Sequence, residues 1–86
     1  MKKKDFILKD IAGKFILVPI GAEDLDFDGV VVLNETAKFL WENSDNEIDV
    51  NDLKDKVIKN FSVTTEEATR VVELFISQMK EADCFE

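Results

Sequence analysis

The chain has 86 residues, one cysteine and no histidine, with 11 Lys+Arg against 19 Asp+Glu and a formal charge of −8. At 45% hydrophobic and 35% charged it reads as one ordinary globular domain, residues 1–86, with a modest core. Lacking histidine and a second cysteine, it is short of general bases, metal ligands and disulfides, and its acidity argues against duplex nucleic acid as a partner.

Met1-Lys2-Lys3-Lys4 imitates the start of a signal peptide, but Asp5, Lys9 and Asp10 break any apolar stretch behind it. The lysine run reads as a mobile terminal tail. The longest apolar run, Phe15 to Ile20, is too short for a bilayer span, so a cytoplasmic protein without a membrane partner is expected. Phe6-Ile7-Leu8 and Phe15-Ile16-Leu17-Val18 are β-branched and aromatic runs flanking a turn at Ala12-Gly13. Pro19 and Gly21 end the second run. An acidic connection from Glu23 to Asp28 leads to a third strand, Gly29 to Leu33, at a sheet edge. Three antiparallel strands are predicted.

The rest of the chain reads as helix. Asn34 is a good N-cap, followed by Glu35 in the first turn and by Ala37, Leu40 and Trp41 on one face, with Phe39 beside them. The polar stretch Asn43-Ser44-Asp45-Asn46 ends that helix. Asp49 caps a second, whose inner stripe is Leu53, Val57, Ile58 and Phe61. Thr64-Thr65-Glu66-Glu67 has capping-box spacing and opens a third, running to about Asp83 with Ala68, Val72, Phe75, Ile76 and Met79 inward. The order β-β-β-α-α-α predicts an α+β, winged-helix-like domain: a three-stranded antiparallel sheet followed by three helices.

Few residues offer chemistry. Asp24-x-Asp26-x-Asp28-Gly29-x5-Glu35 matches the calcium loop of an EF-hand, and a calcium-binding module through Asp24 to Glu35 is one alternative reading. Its context is wrong, since strand-like residues precede it and Leu25, Phe27, Val30 and Val32 are apolar within it. No metal and no cofactor are expected. Glu66 and Glu67, adjacent on a helix, do not converge, and no cation cluster activates Cys84. The serines have no histidine to activate them, so the chain is not expected to be an enzyme. A winged-helix DNA-binding regulator is the other alternative. Helix three opposes it, with Arg70 and Lys80 set against Glu66, Glu67, Glu73, Glu81 and Asp83. On a flank of that helix, beside the core stripe, stand Val71, Leu74 and Gln78. An apolar flank next to an edge strand suggests a groove where an extended peptide adds itself by main-chain hydrogen bonds.

Gly13-Lys14-Phe15-Ile16-Leu17-Val18-Pro19 and Gly29-Val30-Val31-Val32-Leu33-Asn34-Glu35-Thr36-Ala37-Lys38-Phe39-Leu40-Trp41 closely resemble the PqqD-like family. The resemblance continues through Val50-Asn51-Asp52-Leu53 and Val72-x-x-Phe75-Ile76-x-x-Met79 to Cys84-Phe85-Glu86. It implies a recognition element for precursor peptides in modified-peptide biosynthesis, of which coenzyme pyrroloquinoline quinone (PQQ) synthesis is the namesake. By the same resemblance the partners are a precursor's leader peptide and a modifying enzyme, a radical SAM enzyme above all. An exposed strand edge can also pair with its own copy, so a monomer or weak homodimer is expected. The leader would dock along Asp28, Gly29, Val30, Val31 and Val32, against Arg70, Val71, Leu74 and Gln78. Asp83 stands where the family usually has glycine, a position in which aspartate tolerates a left-handed turn.

Overall fold

The first two strands are joined by a two-residue reversal in which Ala12 and Gly13 both take positive φ, 52° and 82°. Such a turn matches the right-handed twist of the flanking strands, and the Asp10 carboxylate steadies it by accepting from the Gly13 N–H at 3.2 Å. Alanine is a poor residue for the left-handed region, where asparagine followed by glycine is favoured. Ala12→Asn is therefore expected to raise unfolding stability by about 0.5–1 kcal/mol, read as a shift of the urea midpoint.

The computed structural model describes residues 1–20 and 31–86. β1 (Phe6–Ile11) pairs antiparallel with β2 (Lys14–Pro19), and β2 pairs antiparallel with β3 (Val31–Leu33), giving the sheet order β1-β2-β3. The first register sets Leu8 opposite Leu17, and the second sets Leu17 opposite Val31 and Phe15 opposite Leu33. Both strands of the hairpin run longer than their apolar cores suggested. β3 is described only from Val31, so the acidic connection and the first residues of the predicted third strand lie outside the described residues. The same holds for most of the calcium-type loop, although the element before it is the strand β2, not an entering helix.

Three helices follow, α1 (Glu35–Asn43), α2 (Val50–Phe61) and α3 (Thr65–Glu81). Each opens on the predicted cap, whose side-chain oxygen accepts from the third residue onward: Asn34 from Ala37 N–H, Asp49 from Asp52 N–H, and Thr64 from Glu67 N–H. The core gathers Leu17 and Leu33 from the sheet with Leu40, Trp41, Leu53, Val57, Val72, Phe75 and Met79 from the helices. Phe61 departs from its predicted inward position and is exposed. It is the last residue of α2, beyond the reach of the core, and packs edge-on against Phe39 with ring centroids 5.1 Å apart. Ile58 and Ile76 are half-buried at the margin of the core.

The lysine run is not a loose tail. Lys2 bridges to Glu47 and Lys3 to Phe85, in isolated antiparallel pairs. The Lys3 ammonium donates to the Trp41 and Ser44 carbonyls and to Ser44 Oγ, at 2.9–3.1 Å, and lies 4.5 Å from the centre of the Trp41 ring. A cation at the end of α1 meets the negative pole of its dipole. Burial pulls the Lys3 pKa down, and the charge of Asp45 draws it back up. Lys4 closes the clamp through a 2.9 Å ion pair with Asp83. Asp83 adopts the left-handed turn expected of it, φ 58°, which carries Cys84 and Phe85 back into the core.

Cys84 is completely buried, and that burial pushes its thiol pKa up. A raised folded pKa keeps the thiol protonated in the native state, so its contribution to stability is present at neutral pH and is lost as pH rises past the ordinary thiol range. Iodoacetamide at pH 8 is expected to leave native protein unmodified and to alkylate Cys84 promptly in urea, as read by mass spectrometry.

Candidate functional site

The site is built where the end of β3 passes into α1 and faces α3. Leu33 is buried beneath the sheet, and Asn34 immediately caps α1, so the chain turns sharply and leaves the outer side of β3 next to α3. Between the first turns of α1 and the middle of α3 lies a cavity of about 140 Å³. Ala37, Leu40 and Phe75 form its floor, while Val71 and Leu74 make its wall. Asn34, Thr36 and Gln78 supply a polar rim. A cavity of ~150 Å³ lined by such residues accepts a benzene-sized group, so this one is the right size for a single large apolar side chain.

The predicted site residues divide. Asp28, Gly29 and Val30 lie outside the described residues. Val31 is half-buried opposite Leu17, whereas the side chain of Val32 is exposed on the face of the sheet away from the helices. On α3, Leu74 is 65% exposed, which removes it from the core and leaves its side chain free to contact a ligand. Val71 is half-buried against the core and lines the cavity with Leu74. Arg70 is exposed one residue before that wall. Gln78 has a role that spacing could not show: its side-chain amide donates to the Val32 carbonyl at 3.2 Å. One acceptor on the edge strand is thus already engaged by the protein's own residue. An incoming strand has to exchange that bond for one of its own, at a net cost of about 1 kcal/mol or less.

Sequence spacing missed Ala37 and Leu40 as cavity-lining residues because both also belong to the buried face of α1. The cap Asn34, followed by Thr36, was the available signal, since it turns α1 toward α3 at the point where β3 ends. Among the described residues no group of three or more His, Cys, Asp or Glu side chains is arranged to hold a metal ion. No helix of the described residues is long and apolar enough to cross a membrane.

A family model described as coenzyme PQQ synthesis protein D (PqqD) matches residues 17–84, which contain β3, α1 and α3 and hence the whole cavity. The chain belongs to the PqqD family. Members are non-catalytic accessory proteins of PQQ biosynthesis that work with other proteins of that synthesis. No curated protein and no solved structure is significantly similar to the chain. In this PqqD-family chain the stretch from Leu33 to Trp41, the most specific of the sequence resemblance, is also the stretch that forms the floor and rim of the cavity on the α1 side.

Proposed function

We propose that this protein is a peptide chaperone: it binds the leader segment of a ribosomally made precursor by strand addition and presents it to a modifying enzyme of the radical SAM class. The observation that carries the reading is the apolar cavity beside the outer edge of β3, in a chain of the PqqD family. Strand addition needs unpaired backbone groups for affinity and a side-chain socket for specificity. The edge of β3 offers the first, and the space walled by Val71 and Leu74 offers the second. Asp28, Gly29 and Val30 would extend the docking edge upstream of Val31, with Arg70 beside the wall and Gln78 trading its bond to Val32 for one with the leader. Because α3 carries four glutamates against Arg70 and Lys80, affinity rests on main-chain pairing and apolar anchors more than on charge.

The test is titration of isotope-labelled protein with synthetic leader peptides taken from short open reading frames neighbouring its gene. Amide shifts are expected from Val31 to Leu33 and from Arg70 to Gln78, with a dissociation constant on the order of 1 µM, or about −8 kcal/mol. Shifts confined to the β1–β2 hairpin would count against the reading.

A further inference from the structure

α1 has no basic residue in its own last turn, so the carbonyls at its negative end need a donor from elsewhere. Lys3 supplies it, and all three donors of its ammonium find acceptors there, on the Trp41 and Ser44 carbonyls and on Ser44 Oγ. The backbone around that side chain is bonded along both edges. On one edge the Lys3 N–H donates to the Asn46 carbonyl and the Ile48 N–H to the Met1 carbonyl, each at 2.8 Å. On the other, the Lys4 N–H donates to the Cys84 carbonyl at 2.8 Å and the Glu86 N–H to the Lys2 carbonyl at 2.7 Å. Residues 1–4 are thus an extended strap laid between the α1–α2 connection and the segment that follows α3.

Two strand spacings of about 4.8 Å each set those flanking segments about 10 Å apart, close to the ordinary distance between packed helix axes. The second segment is itself tied to the end of α3, since the Cys84 N–H donates to the Met79 carbonyl at 2.9 Å and Asp83 pairs with the Lys4 ammonium. The helices gripped in this way are the two that bound the cavity. Leu40 on its floor directly precedes Trp41, and Gln78 on its rim directly precedes Met79. Above its floor the cavity holds no packing atoms, so the separation of its walls is set by what grips the helices beside it. We infer that Lys3 and Lys4 are positioning residues: the strap holds the C-terminal ends of α1 and α3 a fixed distance apart and thereby sets the width of the cavity.

Residues 1–4 lie outside the stretch 17–84 matched by the family model. The consequence for binding rests on the reading of the cavity as the leader socket, whereas the control of its width is a property of the free protein. A wider or narrower socket changes how closely an apolar anchor fits, so the strap acts on leader affinity without touching the leader.

Lys3→Met in the full chain, labelled at its leucine and valine methyl groups, tests it. Methionine keeps an apolar stem beside Trp41 but leaves three acceptors at the end of α1 without their donor. In the free protein the methyl resonances of Val71 and Leu74 are expected to move, although both stand about two turns or more before Asp83. Synthetic leader peptides from short open reading frames neighbouring its gene are expected to bind about 3- to 30-fold more weakly. Lys3→Arg, which keeps the charge and the donors, should recover most of that loss. Leu8→Ala controls for lost stability, since it truncates a core-packed side chain in β1, two strands from β3. It should lower the melting temperature, leave the Val71 and Leu74 resonances in place and change leader affinity by less than about twofold. If Lys3→Met fails to fold, Ser44→Ala, which removes one of the three acceptors, reads the same shifts at smaller amplitude. Resonances of Val71 and Leu74 that stay in place, or that move as far in Leu8→Ala, overturn the inference. So does unchanged leader affinity where those resonances have moved. If no leader binds the parent protein, the chaperone reading falls, and the methyl shifts alone decide whether the strap sets the cavity.

Discussion

Leu74→Asp is expected to weaken leader binding about 30-fold or more, roughly 2 kcal/mol, while the helical spectrum and melting temperature stay close to those of the parent. The two halves of that expectation rest on different facts. Leu74 is 65% exposed, so in the free protein its replacement removes little burial, and aspartate costs only a few tenths of a kcal/mol in helix propensity. In the complex the same side chain would be covered by the leader and by the cavity wall it shares with Val71. Losing that apolar contact costs about 1–2 kcal/mol, and a carboxylate desolvated at the mouth of the cavity adds to it. Calorimetric titration beside circular dichroism reads both halves. Leu74→Ala, which keeps the helix and introduces no charge, should show the same effect at about 5–10-fold. Unchanged binding in both variants would remove α3 from the leader site.

The sequence was most informative where a structural rule is local. Asn34, Asp49 and Thr64 announced their helices because a cap is a bond to a backbone N–H three residues away, within sight of any short window. The turn at Ala12-Gly13 was legible for the same reason. What escaped is what depends on long-range closure. The grip of Lys3 on the end of α1 joins residues 38 and 41 positions apart, and nothing in a run of three lysines separates a clamp from a loose tail. Phe61 sits on the correct helical stripe yet remains 40% exposed, because α2 ends there and the Phe39 ring of α1 packs against it without enclosing it.

The site shows the same division. Helical spacing set Val71, Leu74 and Gln78 on one flank of α3, and all three line the cavity. Spacing did not reveal that Gln78 reaches across 46 residues to an edge carbonyl, nor that α1 provides the opposite wall. A residue such as Leu40 has only one inward face by periodicity, and in this fold that face serves the core and the cavity together. The residues themselves gave an edge strand beside an apolar flank, and the family resemblance named the positions along that edge where a leader would dock.

Leu40→Ala is expected to lower stability by about 3 kcal/mol, and the dual position of Leu40 is the reason the loss stays short of the upper range for such changes. The side chain has no exposed surface, so truncation forfeits its transfer free energy and opens a void within the core cluster. A neighbouring cavity of about 140 Å³ already relieves the packing on one side, which limits the added cost of the new void. For a chain of this size, 3 kcal/mol corresponds to a fall in melting temperature of about 12–24 °C. Leu40→Met, which conserves volume and fills irregular space, should cost less than ~1.5 kcal/mol. Thermal unfolding followed by circular dichroism measures both. A melting temperature within a few degrees of the parent for Leu40→Ala would mean that α1 does not anchor the core through this residue. The floor of the cavity would then be softer than its burial implies. With the fold held by saturating leader, the alanine variant is also expected to favour a leader with a bulkier anchor residue, since the enlarged socket removes the contact that the native side chain would find there.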